Sequence, residues 1–148
     1  MKNSPTQEEK MEIQVQPNKW SCLPTAFAIA MGEPVEEIIK QVGHDGSDIL
    51  FPTYKEPYCR RSFHPQELID ICLLKNFAVV QIEKSPVVIA KNITHSVPMN
   101  TRRIGSYLLN YTGVLIGEGQ TGTPHAVAWN GKRILDPNGI EYFISRFR

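Results

Sequence analysis

The chain has 148 residues, of which 41% are hydrophobic and 21% charged, and its formal net charge is +1. That length fits one domain with a real core, and the composition is that of an ordered globule, not a disordered chain. A charge so close to balance gives no electrostatic reason to expect nucleic acid or an anionic membrane as a partner.

No apolar run approaches the roughly 18 residues that a membrane span needs, and the polar N-terminus lacks the apolar core of a signal peptide. Three cysteines without close spacing suit a reducing compartment better than a disulfide framework. A cytoplasmic location is therefore expected. Nothing in the composition fixes an oligomeric state.

Residues 1–10 are charged and polar and read as a flexible tail, leaving 11–148 as a single domain. Residues 11–15 alternate and predict a short strand. Cys22–Met31 predicts a helix: Ala26, Ala28 and Ala30 favour it, Phe27 and Ile29 can bury, and Gly32 ends it. Pro24 is tolerated there because first-turn N–H groups lack helical partners anyway. Pro34 opens a second helix with Glu36 and Glu37 in its first turn. Val35, Ile38, Ile39 and Val42 share one face, and Gly43 ends it.

Residues 44–63 show no sustained period. A loop that long is often functional and equally often a surface excursion packed by its own aromatics. His64-Pro65-Gln66-Glu67 reads as a helix start, followed by a stripe of Leu68, Ile69, Ile71, Cys72, Leu73 and Leu74 that ends near Asn76. Residues 77–82 predict a buried strand, and Val87-Val88-Ile89 another. Thr101 can cap a helix carrying Ile104, Leu108 and Leu109. Residues 113–116 predict a strand and 117–122 a flexible turn. Residues 140–147 alternate weakly and predict a last strand or short helix. Helices first and an antiparallel sheet after them make an α+β fold.

Two stretches carry chemistry. Cys22 follows a polar turn and begins a helix, where free N–H groups and the helix dipole stabilise a thiolate. Such sites lower a thiol from ~8.5 to ~3.5–7.5. The competing reading is a buried structural cysteine, the commoner fate of a free thiol taken alone. Trp20 and Ser21 lead into the cysteine and are candidates for substrate contact. Gln16, six residues upstream, can offer an amide N–H to a developing oxyanion.

The second stretch runs from Pro124 to Gly139. His125 begins an alternating strand, Asn130-Gly131 is a strong hairpin signal, and a return strand over 132–135 leads to Asp136. A two-residue turn at Asn130-Gly131 would make His125 and Asp136 cross-strand neighbours. A carboxylate there would orient an imidazole that serves as base and acid. Asn138 is an alternative orienter and a substrate-contact candidate. Strand parity puts His125, Val127 and Trp129 on one face and Ala126 and Ala128 on the other, so Trp129 reads as core. Each residue has a plainer reading: a strand-end histidine, a turn aspartate before proline, a polar residue before a turn. His44, His64 and His95 read as structural or exposed.

Cysteine at a helix start, then histidine and an acid on a hairpin, with a glutamine six residues before the cysteine, resembles the papain-like cysteine peptidases. The closest likeness is to the bacteriocin-processing, double-glycine-leader peptidases and related small proteins of bacteria and phages. It rests on residues 16–30 and 124–139. The papain signature of a second cysteine and an aromatic just after the nucleophile is absent. The resemblance implies a papain-like fold, with N-terminal helices packed on an antiparallel sheet. It also implies a peptide or protein substrate, and Gln16, Cys22, His125 and Asp136 as the catalytic set. A peptidase-like protein that binds without turnover, an acyltransferase and a cell-wall amidase share these features and stay open. No cofactor is expected. Cys59, His64 and Cys72 lack zinc-ligand spacing, and the glycine-rich 117–122 leads into a strand and lacks a lysine, so neither metal nor phosphate chemistry is indicated.

Overall fold

The protein is described from a computed structural model covering residues 6–48, 61–83, 97–98, 101–119 and 122–147. Its helices are α1 (Gln7–Lys10), α2 (Cys22–Met31), α3 (Val35–Val42), α4 (Pro65–Leu74) and α5 (Thr101–Asn110). A short parallel pair joins β1 (Ile82–Glu83) to β2 (Val97–Pro98). A four-stranded antiparallel sheet runs β3 (Gly113–Glu118), β4 (Pro124–Trp129), β5 (Ile134–Asp136) and β6 (Ile140–Tyr142), in chain order. A 3₁₀ turn, Ile144–Arg146, follows. The chain is thus α+β.

The helix α2 is the centre. Every residue of it except Cys22 and Ala30 is buried. Helix signals set its ends: Ser21 gives its carbonyl to the Thr25 N–H at 3.1 Å, and Gly32 closes it at φ 71°, a left-handed conformation that glycine adopts without strain. Small residues on β4 let α2 lie close on the sheet: Ala126 joins the core cluster of Ala26 and Phe27, and Ala128 packs with Ile29. Each large apolar side chain sealed in this layer contributes about 1.5–3 kcal/mol. Val127, Trp129, Ile134 and Tyr142 form the opposite face, against Leu108 and Leu115. The predicted parity of β4 therefore holds, and the Trp129 indole donates to the Leu108 carbonyl at 2.8 Å.

Several expectations need correction. Residues 6–10 are not a tail. Thr6 and Glu9 close a capping box on α1, and the Gln7 amide donates to the Ala30 carbonyl at 2.6 Å. Residues 11–15 form no strand beyond one bridge, Val15 to Asn138. Gln14 fixes that segment instead, donating to the Glu33 carbonyl and accepting from the Val35 N–H across the α2–α3 turn. Residues 77–81 are not a strand, and Val79 and Val80 are exposed. The α4 stripe is narrower than predicted, with Leu73 and Leu74 exposed past the last buried turn. The strand β3 continues through Glu118, paired with Pro124. Most of 44–63, Val87-Val88-Ile89 and His95 lie outside the described residues. Among the described residues no helix is long and apolar enough to cross a membrane.

Candidate active site

Cys22 is the first residue of α2 and sits level with the start of β4. The residues before it are locked. Ser21 donates its hydroxyl to the Asn18 carbonyl at 2.9 Å and accepts the Asn18 N–H at 3.2 Å, while the Asn18 carboxamide oxygen accepts the Trp20 N–H at 2.8 Å. Ser21 is fully buried and faces this turn, not the cavity. Trp20 is half-buried and does not line the cavity either; Ser62 Oγ holds its carbonyl at 2.7 Å.

The hairpin differs from the expected one in register. Ala128 pairs with Leu135 and Trp129 with Ile134, so the loop has four residues, not two. The Asn130 side chain organises it by accepting the N–H groups of Lys132 and Arg133 at 2.9 and 2.7 Å. The shift is by two residues. Because strand faces repeat every two, it leaves His125 and Asp136 on the same side. The imidazole spans the diagonal: His125 Nε2 lies 2.8 Å from Asp136 Oδ1.

Asp136 is a hub, only 3% exposed. Its Oδ1 also accepts the Asn138 N–H at 2.8 Å, and its Oδ2 accepts the Tyr142 hydroxyl at 2.8 Å. Burial pushes this carboxyl up, but the bonds from His125, Asn138 and Tyr142 outweigh burial and hold it below the usual carboxylate range. Burial, followed by the Asp136 carboxylate, pushes the Tyr142 phenol well above its ordinary value, so it stays a donor. Sequence reasoning missed Tyr142. A signal was present: Asp136-Pro137-Asn138-Gly139 is good turn chemistry, and the strand after such a turn returns a side chain toward the one it left.

With Nε2 committed to Asp136, Nδ1 is left free of that bond. The Asp136 bond, then the Cys22 bond, raises His125 to about 9 against the opposing effect of burial. Burial raises the Cys22 thiol. The His125 hydrogen bond, the Ala126 N–H, the His125 charge and the Leu23 N–H together outweigh it, so the thiol is lowered. Opposite shifts on two groups of one cavity, the thiol down and the imidazole up, favour thiolate beside imidazolium. Cys72 shows the contrast: it is buried against Met31 and desolvation pushes its thiol up.

A cavity of about 390 Å³ opens on this pair, with Gln16, Lys19, Asn138 and Ile140 among its walls. Gln16 is pinned by its N–H to the Pro137 carbonyl at 2.8 Å. Its Oε1 is buried without a hydrogen-bond partner among the described residues. Asn138 Nδ2 is 3.5 Å from His125 Nε2, so Asp136 makes the short contact with the ring and Asn138 forms wall. Among the described residues no group of three or more His, Cys, Asp or Glu could hold a metal ion.

Gly119 backs the ring. A Cβ there would lie 3.1 Å from His125 Cβ and 3.5 Å from Cγ. Gly119→Ala is expected to push the imidazole by a few tenths of an ångström and slow alkylation of Cys22 at pH 6 several-fold. The melting temperature should move little, because β3 and β4 stay paired beside it. An unchanged alkylation rate would show that the ring does not need this space.

No family model, curated protein or solved structure matches the chain.

Proposed function

We propose that this chain is a papain-like thiol hydrolase acting on a peptide, isopeptide or related amide bond. One observation carries the reading: Cys22, His125 and Asp136 line one open cavity, with the imidazole held by the carboxylate at 2.8 Å and lowering the thiol beside it. A helix that starts at the thiol and lies on the antiparallel sheet carrying the other two is the arrangement the resemblance implies.

In this reading the Cys22 thiolate attacks the carbonyl carbon, forming a C–S bond and moving an electron pair to oxygen. Gln16 Nε2 and the Cys22 N–H hold that oxyanion; one such donor is typically worth ~10²–10³ in rate. The His125 imidazolium gives its proton to the leaving amine as the C–N bond breaks. Neutral His125 then takes a proton from water, which attacks the thioester and releases the acid, restoring the thiolate. General acid–base help of this kind contributes ~10²–10⁴. Asp136 keeps the ring oriented throughout and Tyr142 keeps Asp136 in place.

The test is an electrophilic peptidyl probe, such as a vinyl sulfone, mapped by mass spectrometry. Labelling is expected on Cys22 and lost in Cys22→Ala. Labelling of Cys59 or Cys72 in preference to Cys22 would sink the reading.

A further inference from the structure

We propose that the Cys22 cavity is a carboxylate-selecting site, in which Lys19 and Arg61, gathered on the Trp20 indole, recognise a negative group of the substrate beside the scissile bond. This rests on the thiol-hydrolase reading and extends it to substrate class.

Lys19 lies three residues before the nucleophile and lines the same cavity. Its Nζ is 4.7 Å from the centroid of the Trp20 ring, and Arg61 Cζ is 5.6 Å from the same centroid. The indole thus gathers two cations from distant parts of the chain, Lys19 in the cavity wall and Arg61 outside the lining residues. Its own position is fixed by Asn18 and Ser62 through its N–H and carbonyl. Both cations are exposed, and among the described residues neither makes a salt bridge.

The charge balance shows what this pair is for. Wherever the shared proton sits, on sulfur or on the ring, Cys22, His125 and Asp136 together carry −1. Among the described residues Asp136 is the only carboxylate in the cavity wall, and its oxygens are already occupied by His125, Asn138 and Tyr142. Without Lys19 and Arg61 a substrate carboxylate would meet net repulsion. With them it meets Lys19 in the wall, reinforced by Arg61 on the same indole, and the aliphatic Ile140 also lines the cavity.

The test uses two alkylating agents of the same size, anionic iodoacetate and neutral iodoacetamide, on the full chain. The ratio of their rates at Cys22 cancels differences in thiolate fraction. The iodoacetate-to-iodoacetamide ratio is expected to fall roughly three- to tenfold in Lys19→Gln and further in Lys19→Gln/Arg61→Gln. High salt should lower the wild-type ratio toward that of the double variant. A ratio that stays within twofold of wild type in both variants overturns the inference while leaving the thiol-hydrolase reading intact. A Cys22 that iodoacetamide labels no faster than an ordinary thiol removes that reading, and the inference with it.

The carboxylate has two sources, an acidic side chain or a chain terminus. Digestion of a proteome-derived peptide library separates them: Asp or Glu enriched at one fixed position beside internal cleavages indicates the side chain, and cleavage confined to the last residues indicates the terminus. Cleavage showing neither pattern overturns the proposal.

Discussion

Replacing His125 with alanine is expected to make Cys22 roughly ten- to a hundredfold less reactive toward iodoacetamide at pH 6. In the native protein His125, through its hydrogen bond and its charge, is the side chain that helps the Ala126 and Leu23 N–H groups overcome burial and lower the thiol. Without it, Cys22 keeps the Ala126 and Leu23 N–H groups but loses both the hydrogen bond and the charge. A thiol at an ordinary ~8.5 is ionised to only ~0.3% at pH 6. Part of that deficit is returned because a more basic thiolate is a better nucleophile, which sets the lower end of the range.

The pH profile separates this cause from general damage. Native Cys22 should alkylate on a plateau that begins below the ordinary thiol range and changes again as His125 deprotonates near 9. His125→Ala should show one rise, at or above the ordinary thiol range, because burial still acts. His125→Gln is the second variant: its amide can still donate to Asp136, so the hub keeps its partner while the ionisable ring is gone. The same single rise is expected there. Reactivity at pH 6 that survives in both variants would show that the thiol does not depend on the imidazole.

Much of this site was legible because its determinants are local. Gly32, Pro34 and Gly43 are strong punctuation, and α2 and α3 begin and end within a residue of where these place them. His64 was legible as a cap, since Pro65 and Glu67 complete the motif, and the structure shows its box closed. The pairing of His125 with Asp136 followed from hairpin logic even though the turn was read as too short. An error of two residues preserves the face, and a side chain can span the diagonal; an error of one would have put Asp136 on the other side of the sheet.

What was illegible depends on tertiary partners. Residues 77–81 have strand-forming side chains, but the parallel pairing with Val97 starts only at Ile82, so a local preference found no ladder. Gln14, Ser21 and Tyr142 each look like ordinary polar or amphipathic residues. Their importance comes from which backbone group or carboxylate lies opposite, and that is set by the fold. Trp20 was read as a substrate contact; its structural surroundings are the two cations and Ser62 instead.

Replacing Asp136 with asparagine should cost the most stability of any change at the site. The carboxylate takes three hydrogen bonds in a nearly sealed position. Hydrogen bonds to charged groups are worth about 1.5–3 kcal/mol each, and an amide can satisfy at most some of these donors while turning its own N–H₂ toward one of them. A net loss of about 3–5 kcal/mol corresponds, in a chain of this size, to a fall of roughly 10 °C or more in melting temperature near neutral pH. The loss should itself depend on pH. The folded Asp136 carboxyl is lowered, so its contribution is present above the unfolded value of ~3.9 and disappears as pH falls through the folded one. The folded His125 imidazole is raised to about 9, so its contribution is fully present below the unfolded ~6.5 and disappears as pH rises through about 9. The melting-temperature difference between native protein and Asp136→Asn should therefore be greatest from about pH 4 to 6.5 and narrow on both sides. It should not vanish at high pH, because a neutral ring still donates from Nε2 to the ionised carboxylate. Tyr142→Phe is the calibrating variant. It removes one donor and leaves the ring contact, so it should cost less than Asp136→Asn and keep the native dependence on pH between 6 and 9. Melting curves for native protein and Asp136→Asn that run parallel across pH 3 to 10 would mean that the carboxylate and the imidazole are not coupled, and Asp136 could then not be what orients the ring.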